Sequence, residues 1–90
     1  MSQEATAEFV VSNQLGLHVR AAAMVVRTVQ PYQSKVTIRT NGGTADASSV
    51  LDLLTLSASK GTTIVVRAEG PDAEAAVAAL GSLITRNFAE

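Results

Sequence analysis

The 90-residue chain contains no cysteine, no tryptophan and only one histidine. Without cysteine there are no disulfides and no thiol chemistry, and a single histidine leaves no plausible zinc site, so we expect neither a metal nor a cofactor. Seven Lys and Arg residues against eight Asp and Glu residues give a net charge of -1, which disfavours nucleic acid as a partner. No apolar run approaches the roughly 20 residues of a membrane span, and the N-terminus does not resemble a signal peptide. We therefore expect a cytoplasmic protein without membrane insertion.

Aromatic residues are also scarce, since the chain has two phenylalanines and one tyrosine. Alanine supplies much of the 47% apolar share. A core of small aliphatic side chains in tightly packed layers is therefore predicted. A chain of this length has room for one core, and residues 1–90 are predicted to form a single domain.

Apolar periodicity divides the chain into four strands and three helices. Alternation predicts strands at 5–12, 36–39, 44–46 and 63–69. Spacing of three and four residues predicts helices at 18–30, 49–56 and 71–88. Asn41-Gly42 is expected to supply the positive φ angles of a tight hairpin between the second and third strands. The order β-α-β-β-α-β-α predicts an α+β fold in which three helices cover one face of a single sheet.

The only histidine, His18, lies where the first helix is predicted to start. The first N–H groups of a helix have no partner within it and carry partial positive charge, which makes a natural anion site and favours the neutral, nucleophilic imidazole. A phosphoryl group on the ring would face these donors, and Arg20 could add charge-assisted hydrogen bonds. Arg27, seven residues further on, extends a basic stripe that could attract an acidic partner. Alternatively, His18 is an incidental cap, and the arginines are simply solvated.

A second feature is the short apolar helix that follows Ser49. Ser49 and Asp52 have capping-box spacing, so Ser49 could be a helix cap without any further function. A helix this short cannot bury all of its apolar side chains, so part of the run is predicted to be exposed for partner docking or, alternatively, to complete the core. The apolar residues are Val50, Leu51, Leu53, Leu54 and Leu56.

The segment GLHVRAAAM resembles the active-site segment of the histidine-containing phosphocarrier protein (HPr) family of the phosphoenolpyruvate-dependent phosphotransferase system. The segment ADASSVLDLLTLSASKG around Ser49 also follows the family pattern. The matching residues of the first segment are Asn13, Gly16, Leu17, His18, Arg20, Ala22 and Ala23. The resemblance implies an open-faced β-sandwich with a four-stranded antiparallel sheet of order 1-4-2-3.

The resemblance also implies a function. His18 would accept a phosphoryl group on Nδ1 from enzyme I and pass it to enzyme IIA domains, with Arg20 stabilising the phosphate. The protein would be a stoichiometric carrier rather than an enzyme, and an HPr kinase/phosphorylase could phosphorylate Ser49. We expect a monomer, because nothing in the sequence suggests a dimer seam. The expected partner-docking residues are Leu17, Arg27, Val50, Leu51 and Leu54.

The chain departs from the family pattern at three positions. Ala21 stands where the family usually has proline, which should loosen the start of the helix slightly. Ser48 stands where the family often has lysine, and Asp52 stands where the family residue is often not acidic. Docking to acidic partners could therefore be weaker or differently tuned. Other interpretations are a nitrogen-type carrier with a regulatory output, a small-molecule-binding module of ferredoxin-like plan, and an RNA-binding module. The last is opposed by the net charge and by strands that lack stacking aromatics.

Overall fold

The computed structural model describes residues 3–89, which form four strands and three helices. The elements are β1 (Glu4–Val10), α1 (Val19–Val29), β2 (Lys35–Thr40), β3 (Gly43–Asp46), α2 (Val50–Leu54), β4 (Thr63–Glu69) and α3 (Ala73–Thr85), followed by a short 3-10 turn (Asn87–Ala89). Every strand pair is antiparallel, and the sheet order is β1-β4-β2-β3. The α+β fold and the strand order implied by the family resemblance are both confirmed.

The sheet buries one face and exposes the other because apolar and polar side chains alternate along its strands. In β4, for example, Ile64, Val66 and Ala68 are buried whereas Thr63, Arg67 and Glu69 are exposed. The helices cover the buried face, with α3 packed against β1 and β4 and α1 packed against α2 and α3. The largest fully buried side chains are Ile38, Leu53, Ile64, Leu80, Ile84, Val11, Val25 and Val66. The predicted aliphatic core is therefore confirmed.

Three local predictions are corrected by the structure. The hairpin between β2 and β3 has its positive φ angle at Gly43, where φ is 139°, and not at Asn41-Gly42. Helix α2 ends at Leu54 instead of residue 56, because the N–H groups of Thr55, Leu56 and Ser57 each bond to the oxygen three residues back. Ser57 then takes a left-handed φ of 49°. Phe88 is buried as expected but lies beyond α3, in the 3-10 turn. Within residues 3–89, no helix has the length and apolar character needed to cross a membrane.

Candidate functional site

The loop between β1 and α1 turns back on itself at Gly16. Gly16 has a φ of +65°, and a Cβ atom added there would lie 2.4 Å from the carbonyl oxygen of Ala58 and 2.8 Å from the Cα of Ser59. The next N–H group, that of Leu17, donates to the same Ala58 oxygen at 2.8 Å. Asn13, which is 3% exposed, holds the turn from the other side, because its Nδ2 donates to the Gly16 oxygen at 2.8 Å. These contacts fix the chain immediately before His18.

The same geometry corrects the prediction that Leu17 belongs to a docking surface. Leu17 is only 6% exposed and is part of the hydrophobic core. The Leu17 N–H donates to the Ala58 oxygen, and the Leu17 side chain packs in the core beneath the loop that carries His18. A partner cannot contact a side chain in that position.

His18 is the N-cap of α1. Its backbone is extended, with φ −81° and ψ −179°, and its carbonyl oxygen accepts the first intrahelical hydrogen bond from the Ala22 N–H at 2.8 Å. The imidazole Nδ1 accepts from the Arg20 N–H at 3.2 Å. An N-cap side chain normally offers an oxygen to the second or third N–H of the helix, and here a ring nitrogen takes that place. The acceptor nitrogen carries a lone pair, so Nδ1 is nucleophilic and faces the positive end of the helix.

The two predicted cations lie on the exposed side of α1. Arg20 and Arg27 are both exposed, and the first turn of α1 contains no acidic residue. Arg27 lies in the last turn, where a positive charge interacts favourably with the helix dipole. The structure thus places Arg20 two residues after His18 at the helix start and Arg27 at the opposite end of the helix.

Helix α2 packs against α1 and begins at Ser49. The Ser49 Oγ accepts from the Asp52 N–H at 3.2 Å, so the predicted cap is present. The Asp52 carboxylate instead accepts from the Asp46 N–H at 2.7 Å, and the Ser49 N–H donates to the Asp46 oxygen at 3.1 Å. Only one half of the capping box is therefore formed, because Asp52 ties α2 to the end of β3.

The apolar residues of α2 divide between core and surface. Leu53 and Leu56 are buried, Val50 and Leu54 are half-buried, and Leu51 is 78% exposed. Leu51 thus supplies the exposed part of the run that the short helix was expected to leave uncovered. An exposed leucine on a helix that packs beside α1 can contact a partner that also reaches His18.

Sequence reasoning missed two further apolar side chains close to His18 in the chain. Leu15 is 69% exposed and Val19 is 63% exposed. Leu15 lies in the Gly16 turn, and Val19 is the first residue of α1. In the sequence, Leu15 is an apolar residue in a loop and Val19 is an apolar residue at a helix start. Whether such residues are buried cannot be judged without the fold. Leu15, Val19 and Leu51, which lies on the helix packed against α1, are together called the apolar rim.

Asp46, at the end of β3, places a negative charge close to Ser49, whose N–H donates to its backbone oxygen. Asp46 accepts from both the N–H and the hydroxyl of Ser48, at 2.9 and 2.6 Å. The Ser48 hydroxyl and then its N–H lower the pKa of Asp46 below its usual value. The residues before Ser49 therefore carry a stable negative charge at neutral pH.

Comparison with known proteins agrees with this geometry. The family described as "PTS HPr component phosphorylation site" matches residues 5–86. The chain is 42% identical to "Phosphocarrier protein HPr" of Xylella fastidiosa over 83 residues, which cover 92% of this chain and 93% of that protein. It is 40% identical to "Phosphocarrier protein NPr" of Escherichia coli over 81 residues, covering 89% and 90% of the two chains. The crystal structure of HPr from Thermoanaerobacter tengcongensis superposes with a TM-score of 0.90 at 31% identity, covering 96% of this chain and 97% of that chain. The chain therefore belongs to the HPr family of phosphocarrier proteins of the phosphotransferase system.

Proposed function

We propose that this protein accepts a phosphoryl group on Nδ1 of His18 from phospho-enzyme I and passes it to an enzyme IIA domain. The observation that carries the proposal is the Nδ1 of an N-cap histidine accepting the Arg20 N–H at 3.2 Å. This arrangement directs a nucleophilic nitrogen towards the partly positive start of α1. When a phosphoryl group is attached to Nδ1, the hydrogen bond from the Arg20 N–H to nitrogen is lost. The charged oxygens of the phosphoryl group can instead accept several hydrogen bonds from donors at the start of α1.

The transfer step needs no group beyond the donor and the imidazole. The Nδ1 lone pair forms a bond to phosphorus while the bond between phosphorus and the donor atom breaks, and the donor keeps that electron pair. Onward transfer is the reverse step with the acceptor as nucleophile. A carrier must not bind its phosphate too tightly, because each 1.4 kcal/mol of extra stabilisation makes onward transfer about tenfold less favourable. One exposed arginine, Arg20, suits that requirement, and the protein is a stoichiometric carrier.

The proposed docking surface consists of the apolar rim (Leu15, Val19 and Leu51), the half-buried Val50 and Leu54, and Arg27. An apolar patch bordered by arginines on α1 fits an apolar and acidic partner surface, as expected for enzyme I. The output is sugar uptake, regulation of the nitrogen type, or both, since relatives named HPr and NPr match at 42% and 40% identity.

Ser49 is proposed as a regulatory site for an HPr kinase/phosphorylase. Ser49 is half-buried and lies two positions before the exposed Leu51. A phosphate there would add about −1.5 to −2 charges beside the docking surface. An acidic partner would then be repelled, so phosphorylation of Ser49 would reduce docking. The same proposal treats residues 1–90 as one cytoplasmic, monomeric domain. One buried core supports the single domain, since every strand and helix but β1 contributes to it and Ala5, Ala7 and Phe9 of β1 pack against it.

Intact mass spectrometry after incubation with phosphoenolpyruvate and enzyme I tests the function. We expect one added phosphoryl group that is lost in acid, and no added group on His18→Ala. Circular dichroism of His18→Ala serves as the control for folding, because His18 is only half-buried and loss of its cap should cost about 1 kcal/mol. Uptake by His18→Ala at the wild-type level would refute the assignment. No uptake by the wild type would favour a binding module instead.

A further inference from the structure

The open face of the sheet, which points away from the helices, carries a hollow of about 330 Å³, a volume typical of small-molecule sites. The lining residues are Thr6, Thr37, Arg39, Thr44, Val65 and Arg67. Two of these six side chains are positively charged and none is negatively charged, so the hollow favours an anion. His18 begins α1 in the helical layer, on the other side of the sheet.

Strand pairing brings the two arginines of the hollow together on one face. Arg67 of β4 lies opposite Thr37 of β2, and Arg39 of β2 lies opposite Val65 of β4. Residues paired across antiparallel strands share a face, and the two arginines are therefore diagonal neighbours about 7–8 Å apart. Arginine side chains are long enough to converge over that distance. The shorter threonine and valine side chains leave the space between them open.

Much of the hydrogen-bonding capacity of the two guanidinium groups is unused within residues 3–89. Arg39 is exposed, and its side chain makes no ion pair or hydrogen bond there. Arg67 contacts Glu4 at 2.6 Å and Glu69 at 3.7 Å, but both contacts use Nη2. Its Nε and Nη1 can therefore still donate. The planar fork of a guanidinium matches the oxygens of a phosphate, to which it donates charge-assisted hydrogen bonds.

We propose that this hollow binds a small phosphate dianion, either inorganic phosphate or the phosphate group of a small metabolite. Arg39 and Arg67 donate to its oxygens, and the threonine hydroxyls that line the hollow add neutral donors. Binding here does not depend on phosphoryl transfer at His18, because the two sites lie on opposite sides of the sheet.

Carboxylates around the hollow restrict the size of the anion that it accepts. Four of them project from the same face of the sheet but do not line the hollow: Glu4, Glu8, Asp46 and Glu69. A nucleic acid or an anionic membrane would bring further negative charges against these carboxylates, and such like-charge contacts are unfavourable. A small anion can reach the arginines without meeting them.

A second hollow beside the first could hold the body of a phosphorylated metabolite. It has a volume of about 570 Å³ and shares Arg39 and Val65 with the first. Its lining includes five side chains with a hydroxyl or an amide group: Thr40, Asn41, Ser57, Thr62 and Thr63. Such groups suit a hydroxyl-bearing compound, because they both donate and accept hydrogen bonds.

Titration of ¹⁵N-labelled protein with sodium phosphate tests the proposal by NMR, at a mildly alkaline pH and at an ionic strength held constant with sodium chloride. The amides of Thr37, Thr44 and Val65 should shift with a Kd on the order of 1 mM, since two charge-assisted contacts in an exposed site provide about that affinity. Arg39→Ala should weaken binding about tenfold. Arg39→Lys, which keeps the charge without the fork, should give an intermediate Kd.

Two control variants on α3 change the net charge away from the hollow. Arg86→Ala removes an exposed positive charge at the C-cap and should leave the Kd unaltered. Glu4→Gln removes the carboxylate that competes for Arg67 and should tighten binding several-fold, whereas Glu74→Gln in the first turn of α3 should not.

Titration with glycerol 3-phosphate distinguishes the two sources of the dianion. A Kd below that of inorganic phosphate identifies a phosphorylated metabolite whose body occupies the second hollow, and an equal or higher Kd identifies inorganic phosphate. Shifts confined to the start of α1 would overturn the proposal, as would equal affinity of the wild type and Arg39→Ala.

Discussion

Replacing Gly16 with alanine perturbs the contact on which the position of His18 depends. The new Cβ would lie 2.4 Å from the Ala58 oxygen, far inside normal contact distance, and the obstacle is backbone that cannot rotate away. The left-handed φ of +65° adds a conformational cost of about 1–2 kcal/mol for alanine. To relieve the clash, the loop with Gly16 would have to move away from the loop with Ala58. This movement would stretch the 2.8 Å hydrogen bond from the Leu17 N–H to the Ala58 oxygen, and loss of a buried hydrogen bond costs about 1–3 kcal/mol.

These contributions add to about 2–5 kcal/mol, a large part of the roughly 5–15 kcal/mol that stabilises a domain. For a chain of this size, the lower end of that range corresponds to a fall of about 10 °C in Tm. We also expect phosphoryl acceptance by His18 to slow on the order of 100-fold, since a displacement of about 1 Å at a reacting group has that effect. Urea unfolding followed by circular dichroism gives the stability, and quenched-flow mass spectrometry gives the acceptance rate.

Gly61→Ala is the matched control for Gly16→Ala. Gly61 also has a positive φ, +93°, but a Cβ there would meet nothing within 4 Å. Gly61→Ala should therefore lose stability through conformational strain alone, and its rate of phosphoryl acceptance should stay within a few-fold of wild type. If the two variants lost equal stability and accepted phosphate at equal rates, the close approach of Gly16 to Ala58 would not be what positions the histidine.

The remaining predictions concern side chains around and away from the site. Arg20→Ala should slow transfer several-fold to and from the carrier without changing the urea midpoint, and unchanged rates in both directions would remove Arg20 from the site. Ser49→Ala should cost about 1 kcal/mol of stability through loss of the cap. Ser49→Asp should keep that cap and weaken calorimetric binding of enzyme I, less so at high salt; undiminished affinity would leave Ser49 as a cap only. The Ser34 hydroxyl and the Gln33 N–H lower the pKa of Asp72, so this carboxylate stabilises the fold above its unfolded pKa near 3.9 and that stability is lost as the pH falls through the folded pKa. Asp72→Asn should thus lower the urea midpoint at pH 7 and flatten its decline below about pH 4, with Ser34→Ala giving a smaller change in the same direction; an unaltered pH profile would contradict this linkage.

Much of the fold could be predicted from local patterns because each pattern reports on a few neighbouring residues. Alternation along residues 63–69 predicted β4 with its observed bounds, since every second side chain of a strand meets the core. The cap at Ser49 and the position of His18 at the start of α1 were also predictable, because capping depends on residues two or three positions apart. The chemistry of the site is local for the same reason.

Contacts between neighbouring elements were not predictable in detail, because capping and turn patterns extend over only two to four residues. The Asp52 carboxylate bonds to the end of β3 instead of completing its capping box. The register of β2 against β3 pairs Thr40 with Gly43, so the bend is at Asn41-Gly42 as predicted, but the positive φ lies one residue later, at Gly43.

The sequence by itself thus determined the order of the elements, the histidine at a helix start and the arginine two residues after it. Only the tertiary structure decided which apolar residues near His18 are exposed. Leu17 is buried because the loop at Ala58 holds its backbone, while Leu15 and Val19 on either side remain exposed. Burial is a property of what packs against a side chain, and for this loop the packing partner comes from a segment about 40 residues away in the chain.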